Sequence, residues 1–387
     1  MKGKVLAITL ILMVLVAVLL TETRLINMAY ANFFPEPVPQ GIHIESDGSV
    51  NGTDKIQRNG DTYTFTGNIY STLVVLCDNI IIDGAGYSLQ GKGDSTGIFL
   101  QDRVNVTIKN MKISNFSCGI KLPLGSIEAG SRRNTISGNT ITGNDVGIQF
   151  SLFTGNNFVY NNVIANNSYG IKIFHSTNNI FRNNRLERNR FNLWVAIETS
   201  VQAAYYVNSI DTSNTVDGKP VYYWVNQHDK TVPSDAGYVA LISCNRITVQ
   251  NLNLANNGQG VLLVGTNNSL ITKNRITSSY YGIALYGPYE PCTNNTITDN
   301  EIIASTKEAI YVWSDHPNNI YDNIITAAPE TTPPSASPWQ SASISQSPIT
   351  TPSNTGAEPS MTWAAVAFAS ATILILGLLL YFKKRKH

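Results

Sequence analysis

Residues 133–150 read Arg-Asn-Thr-Ile-Ser-Gly-Asn-Thr-Ile-Thr-Gly-Asn-Asp-Val-Gly-Ile-Gln-Phe. Residues 156–173 repeat this pattern as Asn-Asn-Phe-Val-Tyr-Asn-Asn-Val-Ile-Ala-Asn-Asn-Ser-Tyr-Gly-Ile-Lys-Ile, and a third copy begins at Asn178. The glycines of the first two copies, Gly147 and Gly170, stand 23 residues apart, and a spacing of 22 residues separates Gly97 from Gly119 and Gly260 from Gly282. A fixed period of this length indicates stacked units, none of which buries its apolar face alone.

The apolar residues inside one unit indicate the kind of stack. After each glycine they alternate with other residues, as in Ile148 and Phe150 or Ile171 and Ile173. This period of two is typical of short strands with one buried face. Each unit contains two more short apolar segments, separated by Asn-Asn turns, which makes three short strands per unit. This pattern predicts an all-β solenoid, a parallel β-helix with coils about 4.8 Å apart. A leucine-rich repeat has a similar period, but its Leu-x-x-Leu-x-Leu frame is absent from the sequence.

The recurrent asparagines are predicted to be structural. In register, their amides would hydrogen-bond from coil to coil and satisfy turn backbone that is otherwise buried unpaired. The predicted ladder consists of Asn139, Asn162, Asn184 and Asn274.

The composition fits a stack with a polar, weakly charged surface. Charged residues make up 14% of the chain, against about 25% in typical proteins. A net charge of +1 gives no general attraction to nucleic acid.

The two ends of the chain predict a type I single-pass cell-membrane protein with an extracellular ectodomain. An apolar run followed by Ala29-Tyr30-Ala31 is typical of a secretory signal peptide, although an uncleaved anchor is the alternative. A 20-residue apolar stretch near the C-terminus is long enough to span a bilayer, and basic residues follow it directly. The predicted segments are a signal peptide (1–31), an N-terminal β cap (32–71), a parallel β-helix (72–326) with a non-repeat excursion (200–244), a Ser/Thr/Pro-rich stalk (327–362), a transmembrane helix (363–382) and a basic cytoplasmic tail (383–387).

Two segments carry a family resemblance. Residues 82–91, Ile-Asp-Gly-Ala-Gly-Tyr-Ser-Leu-Gln-Gly, and residues 210–224, Ile-Asp-Thr-Ser-Asn-Thr-Val-Asp-Gly-Lys-Pro-Val-Tyr-Tyr-Trp, resemble secreted archaeal proteins with NosD-like parallel β-helix repeats. The resemblance covers about residues 41–326 and implies a right-handed β-helix of the class shared by carbohydrate-binding proteins and sugar hydrolases. The family is named after a periplasmic protein linked to copper-site assembly, so a copper-associated accessory function is one alternative.

The candidate metal ligands are scattered. Copper sites bring His, Met and Cys side chains together, yet the sequence has no His-x-His, Met-x-x-Met or Cys-x-x-Cys motif. We therefore predict no metal site and no cofactor. The cysteines, which are Cys77, Cys118, Cys244 and Cys292, are expected to be unpaired, because Cys244 and Cys292 lie two coils apart, about 10 Å against a limit of about 7 Å for a disulfide. An excursion of a turn could still bring Cys292 closer.

The carboxylates do not form an evident catalytic pair, and no catalytic residue is assigned. Asp299 and Glu301 stand one coil above Lys273 and Arg275, which predicts a surface ion-pair ladder. A lyase would need a base beside carboxylates that hold Ca²⁺, and no acidic cluster accompanies the lysines that follow the anchor glycines. A polysaccharide lyase or glycoside hydrolase is kept as the alternative function.

The outward positions after the anchor glycines favour binding of a polysaccharide, or a role as an adhesion or structural element of the cell envelope. Aromatic faces spaced by coils on a rigid wall suit stacking on sugar rings, unless another part of the chain covers them. The candidate glycan-binding residues are Lys121, Gln149, Lys172, Phe174, Trp194, Tyr286, Tyr311 and Trp313. Candidate glycosylation sites are the sequon asparagines Asn51, Asn105, Asn115, Asn166, Asn267 and Asn294. The expected partners are the membrane and extracellular polysaccharide or other envelope components.

Overall fold

The computed structural model describes residues 37–125, 130–197, 202–287, 289–314 and 316–327. The predicted signal peptide, transmembrane helix and basic tail lie outside the described residues, as does nearly all of the predicted stalk. Within the described ranges, no helix is long and apolar enough to cross a membrane. All of the strands belong to one compact unit, Met1–Glu330.

The first part of the chain forms a stack of coils with three parallel sheets. Face A contains β1, β5, β8, β11, β14, β17 and β20, face B runs from β4 to β21, and face C runs from β7 to β22. The strands of this first stack are β1 (Ile42–Ile44), β2 (Val50–Asn51), β3 (Ile56–Asn59), β4 (Thr62–Phe65), β5 (Leu73–Val75), β6 (Ile81–Asp83), β7 (Ser88–Gln90), β8 (Thr96–Phe99), β9 (Thr107–Lys109), β10 (Lys112–Ser114), β11 (Cys118–Leu122), β12 (Thr135–Ser137), β13 (Thr140–Thr142), β14 (Val146–Phe150), β15 (Phe158–Tyr160), β16 (Val163–Ala165), β17 (Tyr169–Ile173), β18 (Ile180–Arg182), β19 (Arg185–Glu187), β20 (Phe191–Val195), β21 (Ser209–Ile210) and β22 (Thr215–Val216).

The N-terminal segment is part of this stack. β1 pairs in parallel with β5, and β4 pairs in parallel with β6, so coils begin at Ile42 and not near residue 72. Only β2 and β3 are antiparallel additions to the end of the stack. They cover part of the edge that the first coil would otherwise expose.

The Asn-Asn doublets explain why the coils stack in register. The first asparagine of a doublet occupies the left-handed region, as Asn161 does at φ 56°, and Gly138 takes that place in the preceding coil at φ 65°. The second asparagine is buried and forms the predicted ladder. The Asn139 amide nitrogen donates to the amide oxygen of Asn162 at 3.1 Å, and Asn162 donates to Asn184 at 3.0 Å.

The chain turns back on itself between β22 and β23. Asp217 and Gly218 join the two strands, both with positive φ, and β22 pairs with β23 in antiparallel orientation. This is the geometry of a two-residue hairpin of type I′, for which Asp-Gly is a preferred sequence. The predicted excursion at 200–244 therefore contains both this reversal and the first strands of a second stack.

The second stack again consists of parallel coils. Its three sheets are β23-β25-β28-β31-β34, β24-β26-β29-β32-β35 and β27-β30-β33-β36. A short 3₁₀ turn, Ala203–Tyr206, precedes the reversal. The strands are β23 (Lys219–Val225), β24 (His228–Thr231), β25 (Tyr238–Ile242), β26 (Asn245–Gln250), β27 (Asn253–Ala255), β28 (Gln259–Val264), β29 (Leu270–Thr272), β30 (Arg275–Thr277), β31 (Tyr281–Tyr286), β32 (Thr296–Thr298), β33 (Glu301–Ile303), β34 (Glu308–Trp313), β35 (Asn319–Tyr321) and β36 (Ile324–Thr326).

The outer surface of the β23–β34 sheet packs on the end of the first stack. The backbone N–H of Gly258 donates to the carbonyl of Leu193 in β20 at 2.9 Å. The Gln259 amide nitrogen donates to the Val195 carbonyl at 2.8 Å. The second stack thus satisfies and covers the edge of β20.

The last described coil is open. Ile320 and Ile325 are 40% and 58% exposed, although Ile297 and Ile302, the residues one coil earlier in the same columns, are fully buried. A fragment cut after β36 would therefore end in exposed isoleucines.

Candidate functional site

The predicted column on face A is in register. Lys121 pairs with Gln149, Gln149 with Lys172, and Lys172 with Trp194, on successive strands from β11 to β20. Lys121, Gln149 and Lys172 are half-buried, whereas Trp194 is only 5% exposed.

The expectation that Trp194 is exposed was wrong, because the second stack covers it. The Tyr280 ring lies 4.4 Å from the Trp194 ring between centroids. A Cβ on Gly258 would stand 2.7 Å from the Trp194 Cα, so only glycine allows this close approach. Tyr286 is also fully buried, 5.4 Å from the Tyr206 ring, and is likewise an inter-stack packing residue.

The remaining predicted aromatics, Phe174, Tyr311 and Trp313, are half-buried. Phe174 packs against His175, with 4.3 Å between ring centroids. Tyr311 lies 4.9 Å from Tyr281 on the neighbouring strand, and Trp313 occupies the same strand, β34. The eight predicted residues therefore do not form one surface.

Lys172 is held by aromatic rings. Its ammonium nitrogen lies 4.5 Å from the centroid of the Trp194 ring and 5.3 Å from that of Tyr169. Both distances are typical of cation–π contacts. Among the described residues, no carboxylate lies within ion-pair distance of this ammonium group.

A second cation borders the same aromatic cluster. Phe191 lies 5.4 Å from Tyr169 and 6.1 Å from Trp194, and the Arg190 guanidinium lies 5.1 Å above the Phe191 ring. Like Lys172, Arg190 has no carboxylate within ion-pair distance in the part of the chain that the structure describes. We call Tyr169, Lys172, Arg190, Phe191 and Trp194 the cationic corner.

An open polar hollow of about 550 Å³ adjoins Arg190. Arg188, also on its wall, is partly neutralised by Glu187 at 3.6 Å and donates to the Asn166 amide oxygen at 3.2 Å. The hollow is lined by Asn166, Asn167, Ser168, Arg188, Asn189, Arg190 and Asn256. Cations beside amides and a hydroxyl can bind an acidic group that is surrounded by hydroxyls, as in an acidic sugar.

The carboxylates named in the sequence are engaged elsewhere. The Arg275 guanidinium contacts Glu301 at 3.0 Å, which confirms that part of the predicted ion-pair ladder. The Asp217 carboxylate accepts the Arg188 N–H at 2.8 Å and the Asn192 amide at 2.9 Å. It therefore supports the reversal between the stacks.

Asp83 is also a poor candidate for a general acid. Burial acts to raise its pKa, but hydrogen bonds from the Ala85 N–H, Asn110 and Lys109 outweigh burial and hold that pKa below its usual value. A carboxyl that stays ionised has no proton to give to a leaving group.

No metal site is evident. Within the described ranges, no group of three or more His, Cys, Asp and Glu side chains could hold a metal ion. Burial lowers the pKa of His175 to about 4. Of the four cysteines, Cys77 is half-buried and Cys118, Cys244 and Cys292 are buried.

The sequon asparagines differ in accessibility. Asn51, Asn105, Asn115, Asn166 and Asn294 are exposed. Asn267 is half-buried, and its amide oxygen accepts the Thr293 N–H at 2.7 Å.

Two family models match parts of the chain. One, described as "Right handed beta helix region", matches residues 92–232, and the other, described as "Periplasmic copper-binding protein (NosD)", matches residues 214–356. Each spans less than half of the sequence. Together with the coils described above, they define an all-β, right-handed β-solenoid. The chain carries NosD-like right-handed β-helix repeats.

Solved structures are similar in fold only. An alginate lyase from Paenibacillus sp. str. FPU-7 shares 13% identity over 68% of this chain and 98% of its own, with a TM-score of 0.30. The mannuronan C-5 epimerase AlgE6 A-module from Azotobacter vinelandii shares 14% sequence identity over 70% of this chain and 81% of its own, with a TM-score of 0.32. The GH136 lacto-N-biosidase from Eubacterium ramulus shares 11% sequence identity over 67% of this chain and 59% of its own, with a TM-score of 0.30. No curated protein matches this sequence.

Proposed function

We propose that this protein is a membrane-anchored cell-surface β-helix that binds acidic polysaccharide. The observation that carries the proposal is the cationic corner, where Lys172 and Arg190 flank one aromatic cluster without carboxylate partners among the described residues. Arg190 on the wall of the polar hollow, with Lys172 on the same aromatic cluster, suits the carboxylates or sulfates of an acidic glycan. The anchoring part of the proposal rests on the apolar stretch 363–382 and on the basic residues that follow it.

Binding to the corner should be electrostatic and sensitive to salt. Titration of uronate and sulfated oligosaccharides into the full-length protein in detergent should give an affinity that falls as ionic strength rises. Lys172→Met and Arg190→Gln should each weaken binding about tenfold, because each removes one charge-assisted contact. Lys112 is an exposed lysine on face C, so Lys112→Met is the matched control and should leave the affinity unchanged.

The outcome of the same experiment decides between binding and catalysis. Equal affinity for the wild type, Lys172→Met and Arg190→Gln would refute the proposed site. Release of unsaturated or newly reducing ends from the acidic panel would favour the alternative, a polysaccharide lyase or glycoside hydrolase. Stoichiometric uptake of Cu(I) in place of glycan would favour the copper-associated accessory function.

A further inference from the structure

Face B presents two exposed aromatic rings side by side. Phe158 and Tyr160 are 40% and 38% exposed, and Val159 between them points into the core and is fully buried. Both rings stand on β15, which is paired on both sides, with β12 and β18. We call Phe158 and Tyr160 the aromatic row.

The fold itself does not require aromatic side chains here. The residues in the Phe158 column are Thr107 and Thr135 in the two preceding coils, and Ser137 precedes Tyr160 in its column. These small polar residues form the same strands with the same register. The aromatic row therefore exposes apolar surface that strand formation does not need, which is typical of a binding surface.

A cavity begins next to the row. Ile180 follows Phe158 in its column and lines a cavity of about 450 Å³ at the seam between the stacks. The cavity lies where face B ends at β21, while the chain continues into the second stack from face C. Its lining is Asn178, Ile180, Val207, Asn208, Ser209, Ile210, Asp211, Tyr223 and Val225.

The charged side chains in the outward columns of face B are paired with one another. The Lys109 ammonium contacts the Asp83 carboxylate at 3.2 Å, and the Arg182 guanidinium contacts Asp211 at 2.9 Å. Arg182 also donates to the Ser209 hydroxyl at 2.8 Å. In the outward columns from β6 to β21, Lys109 and Arg182 are the cations, so this part of the described surface has no unpaired charge for an anion.

We propose that the aromatic row and the seam cavity form a second glycan site, for a neutral oligosaccharide. Sugar rings would stack on Phe158 and Tyr160, and their hydroxyls would reach the polar groups at the mouth of the cavity, Asn178, Ser209 and Asp211. Paired charges, amides and hydroxyls around exposed rings complement a ligand that has apolar ring faces and many hydroxyls but no charge. This site lies on a different sheet from the cationic corner and takes a chemically different ligand.

The chain itself supplies substitutions that should fold. Phe158→Thr and Tyr160→Ser introduce the residues that occupy the same columns one coil earlier, at Thr135 and Ser137. The full-length protein in detergent is tested on immobilised neutral oligosaccharides of glucose, galactose, mannose and N-acetylglucosamine. We expect the double variant to bind the best neutral ligand at least about tenfold more weakly, with an unchanged melting temperature.

The two sites are separable in one experiment. Neutral binding should not change between low and high salt and should survive Lys172→Met, whereas acidic binding should survive the double variant. Equal neutral binding by the double variant and the wild type would overturn the proposal, and so would failure of every neutral ligand to bind. If sedimentation shows a dimer that only the double variant loses, the row is a contact between two copies of the chain, which would also overturn it.

Discussion

Asn162→Asp replaces one atom in the centre of an amide ladder and should destabilise the fold strongly. The Asn162 amide nitrogen donates to the carbonyls of Ile136 at 2.9 Å and Tyr160 at 3.1 Å, and to the amide oxygen of Asn184 at 3.0 Å. The substitution places an oxygen where that nitrogen stands. The two N–H hydrogens that these three oxygens share are lost, and each N···O contact becomes a contact between two acceptors, at a side chain that is 1% exposed.

The magnitude follows from these contacts. The amide group has two N–H donors, which the three acceptors share, so two lost hydrogen bonds at about 1 kcal/mol each give a loss of about 2 kcal/mol. Burial of a charge adds to this loss. At about 2 to 4 °C per kcal/mol, the melting temperature should fall by at least about 4 °C at pH 7.5. Burial raises the pKa of the new carboxyl, and its protonated form regains one donor. The deficit should therefore be smallest at pH 4 and should grow as pH rises through that raised pKa.

The neighbouring residue provides the control. Asn161 is exposed, with φ 56°, a conformation that aspartate tolerates, so Asn161→Asp makes the same change of charge outside the ladder. Scanning calorimetry of both variants at pH 7.5 and pH 4 makes the comparison. If Asn162→Asp melts within 2 °C of Asn161→Asp at pH 7.5, on the scale of about 2 to 4 °C per kcal/mol, the ladder does not stabilise the stack as described.

Further predictions concern the seam and the thiols. Trp194→Ala should cost about 3 to 5 kcal/mol by loss of the buried ring, whereas Trp194→Phe, which also removes an Nε1–H without a hydrogen-bond partner, should cost much less. Similar melting temperatures for the two variants would show that the ring does not hold the stacks together. Cys292, whose pKa is raised by burial to about 11, should react with a thiol reagent at pH 8 far more slowly than half-buried Cys77. Mass spectrometry of the native protein after labelling compares the reaction rates of the two thiols. Faster labelling of Cys292 than of Cys77 would contradict the burial of Cys292.

The sequence predicts the coils well because their determinants are local and repeated. The spacing of Asn139, Asn162 and Asn184 fixes the register, and each coil repeats the same information. The reversal also has a local signal, because Asp-Gly at residues 217–218 is a preferred hairpin sequence. Read as an ordinary turn within a coil, the same dipeptide gives one continuous β-helix, and the division into two stacks is missed.

The site residues are less predictable from the sequence. Trp194 points out of its own coil, as the alternation predicts, but residues about 60 to 90 positions later cover it. The repeat pattern describes contacts between neighbouring coils and cannot predict a contact between the two stacks. The exposure of Phe158 and Tyr160 could have been predicted from the sequence. Both residues flank the inward-facing Val159, so the alternation along the strand places their side chains outside. Arg190 follows a ladder asparagine in a turn, where the strand pattern gives no direction for a side chain.

The buried amide ladders run in one direction. In each buried ladder of the first stack that the structure describes, the amide nitrogen of the earlier coil donates to the amide oxygen of the later coil, as from Asn144 to Asn167 and from Asn167 to Asn189. A duplicated coil inserted between any two others would find an acceptor above it and a donor below it. Gene duplication can therefore lengthen the first stack in whole coils, each of about 4.8 Å. Such steps would move the N-terminal end of the rod away from the seam while the seam itself stays intact.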